Sequence, residues 1–170
     1  MEALFHNGAD VNLMYAAGDT PLHNVFLSGR WQDVLILNRH SEEFHMRYRK
    51  VQLLVENGAD VNVCSRWGGD TTLILACKDA SPDIVRLLLQ HGASVNAQDQ
   101  RGRTPLRFAL AHIDMNVAVI EELVHRGAHF QTKDSNDETV LFGIAHGEIA
   151  ELLIRLGLHV NARNKTGRTP

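Results

Sequence analysis

The sequence predicts an all-α solenoid of stacked helix-turn-helix units joined by turns or hairpins, and three observations predict it. The first is a glycine motif that recurs. GADVN occupies Gly8–Asn12 and Gly58–Asn62, and it returns as GASVN at Gly92–Asn96, GAHFQ at Gly127–Gln131 and GLHVN at Gly157–Asn161. The second is an interleaved motif: GDTPL at Gly18–Leu22, GDTTL at Gly69–Leu73, GRTPL at Gly102–Leu106, DETVL at Asp137–Leu141 and GRTP at Gly167–Pro170. The third is that apolar residues between the motifs fall at helical spacing. Successive threonines (Thr20, Thr71, Thr104, Thr139, Thr169) lie 51, 33, 35 and 30 residues apart. A period near 33 marks a repeat array, and the longer first interval marks an insertion.

Each element follows from its residues. Thr71 to Lys78 forms a first helix with Leu73 and Ala76 on one face. The threonine caps it, and in the GDTPL and GRTPL copies a proline follows in the first turn. Pro82 opens a second helix, where its missing N–H costs little, and Ile84, Val85, Leu87, Leu88 and Leu89 make a broad apolar stripe. Gly92 then ends it, because a helix stop favours a left-handed backbone. The polar stretch Asn96–Arg103 reads as a turn closing at Gly102. Such a pair cannot bury its apolar face alone, so neighbouring units must stack.

The TPLH of Thr20–His23, the TPL of Thr104–Leu106 and the repeated LL-x-x-GA-x-VN resemble the ankyrin-repeat family over nearly the whole chain. The resemblance implies that His23 ties adjacent turns. It also implies that turns and first helices form a concave groove for protein partners.

The chain then reads as one repeat domain over residues 1–170. A partial unit spans 1–12, and a unit with an insertion near 30–48 spans 13–62. Units follow at 63–96 and 97–131, a degenerate unit at 132–161, and the start of a further unit at 162–170. Neither end offers a polar cap, so the chain is expected to be a fragment of a longer array or to rest its ends on partners. In the insertion, Phe44, Tyr48, Val51, Leu54 and Val55 fall at helical spacing after a start at Ser41. This segment, which also holds Trp31, is either an enlarged loop with an extended helix or a protruding binding element. In the degenerate unit Asp137 replaces the turn glycine, Val140 the proline and Phe142 the histidine, and Gly143 and Gly147 shorten its helices. It is expected to be the least stable unit.

Composition and motifs exclude several function classes. A net charge of -3 argues against a nucleic-acid binder working through global charge. No apolar run approaches the length of a membrane span, and the first ten residues lack the pattern of a secretory signal. Two cysteines, Cys64 and Cys77, make no disulfide framework and suit a reducing intracellular compartment, cytoplasmic or nuclear. Ten histidines include no HExxH pair and no CxxC, so a metal site is rejected. No phosphate-cradling loop or nucleophile elbow is present, and Gly68-Gly69 is an extra turn residue. Neither enzymatic activity nor a cofactor is expected.

A protein-protein interaction scaffold or adaptor remains, and it is expected to be monomeric. The groove implied by the resemblance takes its partner contacts from Tyr15, Arg66, Trp67, Lys78, Gln100, Arg101, Arg103 and Arg107. Met14, Asn24, Lys133, Ser135, Asn136, Lys165 and Thr166 stand at related positions. Trp67 beside Arg66 has hot-spot composition, or it packs on its own turn. The arginines predict a locally basic groove suited to an acidic or phosphorylated peptide. The alternative is a structural spacer in a larger protein. Asn12, Asn62, Asn96 and Asn161 each follow a leucine by eight residues, which resembles the context of an asparaginyl hydroxylase; the same asparagines are structural in the family.

Overall fold

The computed structural model describes residues 8–15, 18–27, 42–66, 68–111, 117–144, 151, 154 and 159–170. The residues before Gly8, most of the insertion with Trp31, the turn residue Trp67, and most of the segment expected as the second helix of the degenerate unit, with Gly147, lie outside the described residues. Among the described residues six α-helices are bounded, in order: α1 (Pro21–Leu27), α2 (Glu42–Glu56), α3 (Thr72–Lys78), α4 (Pro82–Gln90), α5 (Pro105–Ala111) and α6 (Val117–His125). A 3-10 turn at Val140–Gly143 takes the place of the next first helix. Within each unit the two helices pack on one another (α1 on α2, α3 on α4, α5 on α6). Between units α1, α3, α5 and the 3-10 turn form an inner row, and α2, α4 and α6 an outer row.

The core lies between the rows. Leu22, Leu73 and Leu106, from the same motif position, are fully buried beside Ile84, Leu88, Leu110 and Leu123. Each such side chain contributes roughly 1.5–3 kcal/mol through burial. The three outer helices end alike. Gly58, Gly92 and Gly127 adopt φ of +86°, +84° and +83°, and the alanine after each donates its N–H to the carbonyl five residues back, at 3.0, 3.0 and 2.9 Å. This six-to-one closure satisfies carbonyls that the helix end leaves open and explains the recurring GA dipeptide.

The asparagines of the VN motif join one unit to the next. Asn62 donates its side-chain N–H to the Gly92 carbonyl at 3.0 Å and accepts from Ser94 N–H at 2.8 Å. Asn12 does the same to Gly58 and Asp60 (3.1 and 2.8 Å), and Asn96 to Gly127 and His129 (3.1 and 2.8 Å). One amide thus pairs a donor and an acceptor on the neighbouring backbone.

The extended helix expected after the insertion is present. α2 has 15 residues against nine in α4 and α6. Its Arg47 reaches across to Asp79 in the α3–α4 turn, with Nη1 at 2.7 Å from both carboxylate oxygens. The two side chains are only 10% and 5% exposed, and Ser81 Oγ donates to the same carboxylate at 2.6 Å.

Candidate protein-binding groove

The groove is built from hairpin turns standing on the inner helices. Each hairpin closes with a backbone bond between its base residues. Tyr15 N–H donates to Asp19, Ser65 to Asp70, Asp99 to Arg103, Asp134 to Glu138 and Asn164 to Arg168, all at 2.9–3.0 Å. The turn glycine before each TPL motif is left-handed, and at Gly69 a Cβ would also lie 2.9 Å from the backbone nitrogen of Gln100. Neighbouring tips are joined in a row: Gln100 N–H to Gly68 O at 2.9 Å, Ser135 N–H to Arg101 O at 2.7 Å, and Lys165 N–H to Asn136 O at 2.9 Å.

Acidic and amide side chains hold the hairpins from inside. Asp99 Oδ1 accepts from the N–H groups of Arg101 and Arg103 at 2.9 and 2.8 Å, while Oδ2 lies 2.7 Å from Arg103 Nε and 2.7 Å from Nη2. Asp134 Oδ1 repeats the backbone part with Asn136 and Glu138, and Asn164 Oδ1 with Thr166 and Arg168. The recurring acids therefore serve turn chemistry.

Of the eight candidate residues Trp67 lies outside the described residues, and the other seven divide into two sets. Tyr15, Arg66, Gln100 and Arg101 are exposed, Tyr15 at 46%. No side-chain hydrogen bond or ion pair engages Arg66 or Arg101 among the described residues. Gln100 leans on the preceding tip through a 3.3 Å bond to the Arg66 carbonyl. Lys78, Arg103 and Arg107 are engaged within the chain. Lys78 pairs with Asp70 at 2.7 Å and Arg103 with Asp99, and both cations sit over the ring of Phe108 at 4.4 and 4.7 Å. Arg107 donates to the carbonyls of Thr139 and Val140 at 3.2 and 3.3 Å and pairs with Glu138 at 3.3 Å. Among the described residues the cations of the inner helices are therefore charge-balanced, and Arg66 and Arg101 stand exposed on the hairpin tips. Lys133 and Lys165 are exposed as well.

His23 holds the first two hairpins together. Its Nδ1 accepts from Thr20 N–H at 3.2 Å, which leaves the proton on Nε2 to donate to the Asp70 carbonyl at 3.2 Å. Burial lowers its pKa from 6.5, and the Asp70 carbonyl and the charge of Asp19 only partly oppose that shift. Arg107, at the same motif position two units on, performs this tie with a permanent charge. Ile74 and Phe142 at the equivalent positions carry no such group.

The Lys78–Phe108 contact and the Arg47–Asp79 pair were not legible as partners, because each links residues from different units. Near-repeat spacing between Lys78 and Phe108 is the one signal that could have joined them. Of the two cysteines, Cys64 is exposed and Cys77 buried; both are free. Among the described residues no group of three His, Cys, Asp or Glu side chains could hold a metal ion. No described helix is long and apolar enough to cross a membrane.

Stacked helix pairs carrying a row of joined hairpins define a repeat solenoid, a class that recognises other chains along an extended face. The chain belongs to the ankyrin-repeat family: the model for ankyrin repeats (3 copies) matches residues 37–134, more than half of it. An ankyrin repeat protein of Fowlpox virus (strain NVSL) is 32% identical over 130 residues, covering 70% of this chain and 38% of the viral protein. Human ankyrin repeat domain-containing protein 63 is 34% identical over 119 residues, 62% of this chain and 30% of its own. The mouse B-cell lymphoma 3 protein homolog is 33% identical over 103 residues, 61% of this chain and 22% of its own. The chain thus spans about a third of the length of the first two relatives. Ankyrin repeats generally mediate protein–protein interaction.

Proposed function

We propose that this chain is an interaction scaffold that takes an extended segment of a partner protein into its concave face, with acidic groups of the segment meeting Arg66 and Arg101. The observation that carries the reading is the division of the cations. Among the described residues Arg66 and Arg101 stand exposed and without an ion-pair partner on neighbouring, joined tips, whereas Lys78, Arg103 and Arg107 have carboxylates of their own. Rim charges on a rigid frame steer a partner and select among partners more than they add affinity. Trp67, next to Arg66, is the aromatic anchor of this reading. A panel of fluorescent peptides with alternating glutamates tests it by anisotropy. Binding should weaken about tenfold or more in Arg66→Glu/Arg101→Glu with helical circular dichroism unchanged. Equal binding by both proteins rejects the groove and favours the alternative, a spacer that positions other domains of a longer protein.

Hydroxylation of Asn12, Asn62, Asn96 or Asn161 is a separate proposal. The amides of Asn12, Asn62 and Asn96 each hold two bonds to the next unit. An asparaginyl hydroxylase would therefore have to open a junction before reaching them. A mass gain of one oxygen that increases in partly destabilised variants is the expected outcome, and no gain on the folded or destabilised chain refutes it.

A further inference from the structure

Asp19 and Asp70 stand at the same position of two adjacent hairpins, immediately before the motif threonine. The hairpins are tied by His23, and the Arg66 stem packs on Gly18, where a Cβ would come within 2.8 Å of the Arg66 Cβ. In the second unit the chain supplies the counter-charge: Lys78, eight residues after Asp70, places its ammonium 2.7 Å from Oδ2. In the third, Arg103 neutralises Asp99. The first unit supplies none. The residue eight after Asp19 is Leu27, 42% exposed at the end of α1, and the base of the hairpin is Tyr15. Asp19 is only 9% exposed, and its Oδ1 is enclosed with no hydrogen-bond partner. Among the described residues nothing donates to either of its carboxylate oxygens. Asp70 Oδ1 is likewise enclosed and unpartnered.

A carboxylate withdrawn from water without a partner is strongly unfavourable, and an arriving cation relieves it. We propose that Asp19, beside the already paired Asp70, receives the ammonium or guanidinium group of a lysine or arginine side chain from the polypeptide in the groove. The ligand thereby supplies the cation that Leu27 withholds. The proposal deepens the groove reading and rests on it. The exposed Leu27 and the Tyr15 ring, whose backbone N–H is bonded to the Asp19 carbonyl at 2.9 Å, offer apolar surface to the stem of such a side chain. The groove then selects a bipolar segment, with acidic residues toward the rim at Arg66 and Arg101 and one basic residue toward Asp19.

The test is a nitrogen-15 correlation titration of the 170-residue chain with n-butylguanidinium chloride, with sodium chloride at matched ionic strength as the reference. Saturable shifts are expected at the amides of Asp19, Thr20, Asp70 and Thr71. Asp19→Asn, which keeps the side-chain volume, should weaken binding roughly tenfold or more. Leu27→Lys, at an exposed position, should weaken it as much, because its tethered ammonium occupies the site, and should raise the thermal midpoint above that of the parent chain. Shifts that do not saturate, or binding that survives unchanged in either variant, overturn the proposal. The glutamate peptides above probe the rim without using this site, so failure of one reading is distinguishable from failure of the other.

Discussion

Removing the Asp99 carboxylate dissects how a hairpin is held. Its side chain is fully buried and does two jobs: Oδ1 accepts two backbone N–H bonds, and Oδ2 receives the Arg103 guanidinium. Asp99→Asn keeps the first job, as Asn164 shows by accepting the same pair of N–H groups at 3.1 and 2.9 Å in the last hairpin. It loses the charge-assisted bonds, worth about 1.5–3 kcal/mol, but Arg103 is 31% exposed and water recovers part of that. A net cost of about 1–2 kcal/mol follows. Asp99→Ala abandons both jobs and leaves two N–H groups short of acceptors, at about 1–3 kcal/mol each where water cannot reach them. Its cost should be about 3–5 kcal/mol. Urea denaturation followed by circular dichroism measures both, and hydrogen exchange at the Arg101 and Arg103 amides should accelerate only in the alanine variant. Asp99→Ala should also weaken a rim ligand, because Arg101 is displayed by the hairpin that Asp99 holds. Equal destabilisation by asparagine and alanine would refute the division of labour between the two oxygens.

Three further outcomes are expected. Arg47→Met strands the buried Asp79 with Ser81 as its partner and should cost about 3–5 kcal/mol, whereas Arg47→Met/Asp79→Asn should recover a measurable part of that in the same denaturation assay. Ala80 is held at φ +49°, a conformation that glycine adopts without strain. Ala80→Gly should therefore stabilise by about 1 kcal/mol and raise the thermal midpoint by about 2–4 °C, and a lowered midpoint would contradict the strain. His23 has its pKa lowered from 6.5 by burial, so the folded chain resists a proton that the unfolded chain accepts. Its contribution is complete above 6.5 and is lost as pH falls from there toward the folded value. Between about pH 7.5 and about pH 5.5 the parent should lose more stability than His23→Gln, in which the other histidines are unchanged. Parallel pH curves would show that His23 does not titrate within the fold's stability range.

The solenoid was legible because its determinants are local and repeated. Gly58, Gly92 and Gly127 announce the left-handed stop of each outer helix, and Thr71 and Pro82 announce helix starts, from residues that are neighbours in the chain. The site was less legible because its charges are settled by hairpin returns and by contacts with the next unit. Arg103 reads from sequence as a free cation beside Arg101, and only the hairpin's return brings it onto Asp99. Lys78 needs Asp70, eight residues before it, and Phe108, which lies on the next unit's helix. Asp19 gave no signal at all, since what distinguishes it is a missing partner. Periodicity reports what a residue's equivalents do; it does not report the one unit in which the counterpart is Leu27.

The degenerate fourth unit shows how far nearest-neighbour stacking extends the groove. Its first helix is reduced to the 3-10 turn Val140–Gly143, the Oγ of Thr139 has no partner where Thr71 caps its helix, and Asp137 takes a glycine's turn at φ +61°. Local propensity therefore contributes little, and the unit leans on its neighbours. Arg107 binds its Thr139 and Val140 carbonyls, the Arg101 carbonyl receives Ser135 N–H, and Asn164 donates to Glu138 at 3.1 Å. Because stability in such arrays is a sum of unit and interface terms, removing Arg107 acts on an interface that the fourth unit cannot replace from within. The third unit keeps its buried Leu106 and its Asp99–Arg103 clasp. Truncating Arg107 is thus expected to open the array at the fourth unit while the hairpins that carry Asp19, Arg66, Asp70 and Arg101 stay formed, so the proposed ligand selection should survive in the first three units.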